Sequence, residues 1–288
     1  MNYKLNLCKF ISLIIILSVS IFTYNYDYHN VHDLLEYSLD FKRDNFYDIY
    51  HNRYDIGYSF LIFLLSSLIS FELFFCFLVI VLFSLKIFNY RYKITFLLLY
   101  VLTYFNNFEL NHLKAAIAST LILFSFNTKK YNFVLLCLAS LMHLSASVLL
   151  ISYLIYNLKR RISYLFIFFL LFFVFYYSDI ILIRISNYFY FEEFHFSLRV
   201  VYVFIALMLL RDKFTIIEYK IYILIPSIIY FFLSPFYIAI SQRIIFLVLP
   251  IIMSCLILKL FDRECKITQK FIIFLLFFSE LFNFYFLK

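Results

Sequence analysis

A handful of polar side chains stand out in a chain otherwise built from aliphatic and aromatic residues. Lys114 lies in Asn111-His112-Leu113-Lys114-Ala115-Ala116-Ile117-Ala118-Ser119, a turn inside an apolar run. His143 interrupts Leu138-Ala139-Ser140-Leu141-Met142-His143-Leu144-Ser145-Ala146. Arg243 closes Ser241-Gln242-Arg243 at the head of a third run, and Arg184 and Arg199 flank a polar segment before it. Asp55 opens Asp55-Ile56-Gly57-Tyr58, which holds the only glycine of the protein. Guanidinium and ammonium groups are suited to phosphate oxygens, Arg through a planar fork and Lys as a point charge. An imidazole or a carboxylate can take a proton from a hydroxyl.

Each of these residues also has a purely structural reading. Lys114 either faces a cavity, because intramembrane charge is costly, or snorkels to an interface. A buried imidazole needs a hydrogen-bond partner, and a neighbouring Ser could serve His143 in a structural role. Asp55 is either a helix cap or a catalytic carboxylate. Gly57 reflects a backbone need, such as positive φ or close approach, or else an ordinary loop-to-helix turn. The arginines could anchor lipid headgroups singly, whereas several converging beneath an acidic loop point to a site.

The elements that must position these groups are membrane helices. Hydrophobic residues make up 65% of the chain and charged residues 15%, with a mean hydropathy of +0.93; soluble domains run nearer 45–50% and about 25%. Seventeen of the twenty-five Lys and Arg residues fall in tight clusters: Lys4/Lys9, Lys86/Arg91/Lys93, Lys129/Lys130, Lys159/Arg160/Arg161, Arg211/Lys213/Lys220 and Lys259/Arg263/Lys266/Lys270. Basic residues gather on the cytoplasmic side of a membrane. That rule predicts a cytoplasmic N-terminus, an uncleaved first span over 5–23 and a long outer loop over 24–56 with interfacial amphipathic helix. It continues with a short re-entrant helix over 57–70 and crossings at 71–89, 94–110 and 112–127. One helix over 131–157 would put Lys159/Arg160/Arg161 on the wrong side, so two short helices meeting near His143 are expected. Crossings at 162–183, 197–210, 221–240, 244–261 and 270–287 follow, with a second outer loop at 184–196. The fold class is therefore an all-α, polytopic helical membrane protein of about 9–11 membrane helices in one domain over 1–288, with a re-entrant helix and a broken pair.

Several functions are disfavoured. The net charge of +8 is concentrated on the inner side as a topological signal, so nucleic acid is not an expected partner. Cys8, Cys76, Cys137, Cys255 and Cys265 show no C-x-x-C spacing and read as apolar fillers. His29 and His32 with Asp27 and Asp33 fall in a tyrosine-rich loop, and coincidence outweighs metal binding there. No P-loop, dinucleotide fingerprint, H-E-x-x-H or Asp-x-Asp motif is present, and no metal or cofactor is expected.

Taken in order, the motifs resemble the EpsG family of bacterial polysaccharide polymerases, related to Wzy-type O-antigen polymerases. Asp44-Asn45-Phe46-Tyr47-Asp48-Ile49-Tyr50 resembles the family's acidic and aromatic outer loop, and Asp55-Ile56-Gly57-Tyr58 its Gly-Tyr element. Lys114-Ala115-Ala116-Ile117-Ala118 resembles its Arg element, Met142-His143-Leu144-Ser145-Ala146 its His element, and Arg243 its late Arg. Lys114 stands where the family has Arg, and Ile56 where it has Pro. The resemblance implies a GT-C-like architecture and a bacterial inner-membrane enzyme. That enzyme would polymerise polyprenyl-pyrophosphate-linked oligosaccharide repeat units at the outer face. It implies a donor and an acceptor glycan on lipid carriers, surrounding membrane lipids, and a chain-length regulator as the kind of protein partner. Lys114, Arg243, Arg199 and Arg184 would bind pyrophosphate. Asp55 or His143 would act as base, with Gly57 and Tyr58 shaping the site. The alternatives are a lipid-linked glycan flippase or transporter, a single-addition lipid-linked glycosyltransferase, or a ligase.

Overall fold

The computed structural model describes residues 2–27, 32–43, 45–53, 55–88, 90–105, 112–128, 132–157, 198–235 and 237–286. The crossing expected at 162–183, the loop at 184–196 and Arg184 lie outside them. The described residues are helical, with no strand among them. In chain order they are α1 (Asn2–Tyr24), α2 (His32–Asp40), α3 (Phe46–Arg53), α4 (Ile56–Ser66), α5 (Phe71–Ile87), α6 (Lys93–Thr103) and α7 (Leu113–Thr128). Then come α8 (Asn132–Met142), a 3-10 turn (Leu144–Ala146), α9 (Ser147–Asn157), α10 (Leu198–Leu209) and α11 (Ile225–Leu233), the last entered through a π-turn at Lys220–Leu224. Two long helices close the chain, α12 (Ile238–Leu260) and α13 (Ile267–Phe286).

Lipid is the solvent these helices suit. Leu7, Phe10 and Ile21 on α1, Phe232 on α11, and Ile267, Phe271 and Phe274 on α13 are exposed. Each such side chain would lose about 1.5–3 kcal/mol of burial free energy if left in water, and lipid tails remove that loss. Two stretches, Leu7–Tyr24 and Ser241–Leu260, are long and apolar enough to cross a bilayer. The helices α4, α6, α8 and α9 have 11 residues each, about 16 Å of rise against roughly 30 Å of hydrocarbon.

At the centre stands α7, packed against α5, α8 and α12. Its Ala115, Ala116, Ala118 and Ser119 are all buried, and small side chains let helix backbones approach closely. Elsewhere aromatic rings interlock: Phe83 meets Tyr100 edge-on at 5.7 Å, Phe96 stacks on Tyr100 at 5.8 Å, and Tyr92 stacks on Phe261 at 4.3 Å. The 24–56 segment is covered by α2 and α3, whose Leu34, Tyr37 and Ile49 are buried while Leu39 and Tyr47 remain exposed. Amphipathic spacing puts one face of each short helix inward.

The helix ends sort into two groups. At one end, Lys259 Nζ donates to the Leu209 carbonyl and to Asp212 Oδ1 at 3.0 Å. Tyr90 Oη donates to the Ser254 carbonyl at 2.7 Å nearby. A cavity of about 500 Å³ is lined by Asn132, Asn157, Glu218 and Tyr222, so the head of α8 and the tail of α9 share one end. The break between these helices falls at His143, whose backbone is extended (φ −153°, ψ 116°). Arg243 and Lys259 mark the two ends of α12, separated by about 24 Å at an α-helical rise.

Lys86 departs from the cluster in which the sequence places it. Its side chain is fully buried, with Nζ 4.1 Å from the Tyr100 ring centroid and 5.2 Å from that of Phe83. Helical side chains lean toward the N-terminus of their helix, which turns this ammonium back into the aromatic core.

Candidate functional site

The site is assembled around the start of α4. A Cβ placed on Gly57 would lie 2.9 Å from both the backbone carbon and the Cβ of Leu141, and 3.0 Å from its carbonyl oxygen. The glycine therefore serves close approach of α4 to α8. Gly57→Ala is expected to push the two helices apart and cost about 1–3 kcal/mol, read as a fall in the thermal unfolding midpoint of purified protein. An unchanged midpoint would mean that Leu141 can move at no cost.

That close approach brings Asp55 to the α8–α9 break. Asp55 is the N-cap residue of α4 by position, yet its carboxylate makes no capping hydrogen bond to that helix. Instead Oδ1 accepts from the Leu144 backbone N–H at 3.1 Å, and Oδ2 from Lys114 Nζ at 2.5 Å. One carboxylate thus ties three elements together: α4, α7 and the turn after α8. The Lys114 ammonium also lies 5.9 Å from the centroid of Tyr58, which is fully buried and packs edge-on against Tyr37 at 5.4 Å. Lys114 and Asp55 are largely enclosed, with side chains 17% and 9% exposed. An enclosed charge without its partner is costly, so the two carry each other.

His143 is buried beside this pair, and among the described residues its Nδ1 has no hydrogen-bond partner. The serine partner considered from sequence is not used by that nitrogen: Ser140 donates to Leu136 O and Ser147 to Leu144 O. The charges acting on His143 are those of Asp55, Lys114, Arg243 and His112. This set brings Arg243 to the same place from α12. The α12 helix begins at Ile238, so Arg243 sits on its second turn, exposed at the start of the apolar stretch Ser241–Leu260.

Arg199 joins from α10. Its guanidinium carbon lies 4.6 Å over the ring of Phe246, one turn beyond Arg243. The His112 ring approaches the same phenyl at 6.1 Å, and His112 Nδ1 lies 3.1 Å from Asp33 Oδ2 of α2. Of the residues singled out from sequence, Asp55, Gly57, Tyr58, Lys114, His143, Arg199 and Arg243 therefore meet at one end of the bundle. That end lies opposite the Lys259 and Asp212 contacts. Phe246 carried no sequence signal of its own, and nothing in the sequence paired Asp33 with His112. Only folding puts α2, α7 and α12 side by side.

Chemically, the arrangement offers cations around a buried carboxylate, two imidazoles and a water-poor wall of aromatic rings. A candidate metal cluster of His, Cys, Asp or Glu does not occur among the described residues. A family model described as the EpsG family matches residues 8–288. No curated protein and no solved structure matches the chain.

Proposed function

The chain belongs to the EpsG family, the family of Wzy-type polysaccharide polymerase-like proteins, and from that premise we propose that it joins polyprenyl-pyrophosphate-linked repeat units into surface polysaccharide at the outer face of the bacterial inner membrane. The observation that carries this reading is that Lys114 and Arg243, from two different helices, gather at Asp55 and His143, with Arg199 of a third helix close by on Phe246. A lipid pyrophosphate is an anion delivered in the membrane plane, and its glycosyl bond breaks with charge building on the phosphate oxygens. Cations held in a low-dielectric pocket stabilise that charge. Lys114, held by Asp55 Oδ2, carries an ammonium whose charge suits phosphate oxygens. Arg243 is the exposed fork that can follow the leaving group. Arg199 stands behind it on Phe246, and Arg184 belongs to the same proposed set.

The acceptor repeat unit supplies a hydroxyl that attacks the anomeric carbon and expels lipid pyrophosphate. Asp55 reads as a positioning carboxylate, since both its oxygens are already engaged. His143 reads as a buried imidazole behind the donor pocket, its Nδ1 without a hydrogen-bond partner among the described residues. The proposed architecture is GT-C-like, with α4 re-entrant and α8–α9 a broken pair whose apex faces the outer leaflet.

The test is extension of a defined lipid-pyrophosphate-linked repeat unit by purified protein. A ladder of glycan lengths supports the reading, and a product of one added unit assigns a single-addition glycosyltransferase instead. In a deletion strain, single repeat units accumulating outside the membrane support a polymerase. Units trapped inside would assign a flippase.

A further inference from the structure

We infer that His112, oriented by Asp33, is the general base that takes the proton from the acceptor hydroxyl. This rests on the polymerase reading above and adds to it the residue that activates the nucleophile.

The two carboxylate and imidazole groups that first suggest themselves as bases are poorly placed for that role. Asp55 has Oδ2 on the Lys114 ammonium and Oδ1 on the Leu144 N–H. The His143 ring is buried at 9% exposure, closed in where an incoming sugar would have to reach it. His112 differs on both counts. Its side chain is 52% exposed, and its Nδ1 faces Asp33 Oδ2 at 3.1 Å. A carboxylate on Nδ1 selects the tautomer that carries its proton there. Nε2 is then a free lone pair, and the imidazolium that forms later is stabilised.

The position suits the reaction. His112 stands at the entry of α7, where its carbonyl accepts from the Ala116 N–H at 2.9 Å. Its backbone is therefore fixed two residues before Lys114. Its ring lies 6.1 Å from Phe246, which also carries the Arg199 guanidinium. Donor pyrophosphate on Lys114, Arg199 and Arg243 and an acceptor hydroxyl on His112 would thus sit on neighbouring walls of one site. In the step itself, the acceptor O–H proton passes to His112 Nε2 as the oxygen bonds to the anomeric carbon. The bond from that carbon to the phosphate oxygen breaks, and its electron pair leaves with the lipid pyrophosphate. The imidazolium then returns its proton to solvent.

The charged and titratable groups around His112 come from every side of the site: Asp33 on α2, Asp55 before α4, and Lys114 on its own helix. His143 faces it from the α8–α9 break, Arg199 from α10 and Arg243 from α12.

The experiment uses the full-length protein and a defined lipid-pyrophosphate-linked repeat unit, assayed from about pH 5 to 9 to span the histidine range. Wild-type turnover should fall on the acid side as the base becomes protonated. His112→Ala and His112→Gln should lower kcat by roughly 10²–10⁴-fold and abolish that acid limb. Donor binding should stay within a factor of about three of wild type, and added imidazole should restore part of the rate to His112→Ala. Asp33→Asn should lower kcat with little change in KM, because the imidazole loses the carboxylate that orients it. Near-normal kcat in the His112 variants, a retained acid limb, lost donor binding, or failure of imidazole to restore any rate would each overturn the assignment. A wild-type protein that leaves the repeat unit unextended at every pH would instead overturn the polymerase reading itself.

Discussion

Arg243→Ala is expected to abolish long-chain polysaccharide while the protein remains at its normal level in the membrane. Arg243 is exposed on the second turn of α12, and substitutions at exposed positions usually change stability by no more than about 0.5 kcal/mol. The helix that carries it is held elsewhere, by buried Ile245, Val248 and Ile252 and by contacts with α7 and α11. Its proposed role is confined to the transition state, where loss of one fixed donor to a developing oxyanion costs about 10²–10³ in rate. A loss of that size in a polymerase reduces a long ladder to one or two repeats. Arg243→Lys should recover part of the chain length, since the charge remains but the fork is gone. Gel analysis of glycan length beside an immunoblot of the membrane fraction reads both quantities. Normal chain length in Arg243→Ala would remove this residue from the site.

The second large effect is expected at the Asp55–Lys114 pair. Replacing either partner alone by Ala leaves the other charge enclosed and unbalanced, at a cost of about 3–5 kcal/mol. Asp55→Ala carries the further loss of the Leu144 N–H acceptor, which loosens the α8–α9 break. The double variant Asp55→Ala/Lys114→Ala removes both charges together, so its unfolding midpoint should lie well above the sum of the two single effects. Activity should not return with it, because Lys114 is also a proposed phosphate ligand. Thermal unfolding of the four proteins in detergent, paired with the extension assay, separates the two roles. Strictly additive destabilisation would show that the pair is not coupled, and recovered activity in the double variant would leave the ammonium no part in chemistry.

Parts of the fold were legible because lipid imposes simple rules on sequence. The first helix, expected over 5–23, is α1 at Asn2–Tyr24; an apolar run charged only near its start, at Lys4 and Lys9, has one stable form in a membrane. The interruption near His143 was legible from charge alone, since basic clusters flank a segment too long for a hairpin turn and wrongly signed for one crossing. Gly57 left three readings open, positive φ, close approach or an ordinary loop-to-helix turn, and the Leu141 backbone decides for close approach.

Other features were not, and the reason is range. Capping is a local habit of Asp at a helix start, so Asp55 read from sequence could be a cap. Its actual partners, Lys114 and Leu144, are 59 and 89 residues away. Lys86 belongs by spacing to an inner basic cluster, yet a side chain leaning up its helix and two waiting rings bury it. His112 was visible as a residue of the Lys114 motif, but its value as a base depends on Asp33, which a separate helix delivers.

By itself the sequence determined a helical chain suited to lipid, the gathering of most basic residues into clusters between apolar runs, and the residue types capable of handling a phosphate. Those follow from composition and from spacing along one dimension, where solvation and charge act residue by residue. The tertiary structure alone decided which of those residues share a pocket and which are already spent on one another. Pairing is a property of packing: Gly57 admits Leu141, the break after α8 reaches Asp55, and Asp55 in turn holds Lys114.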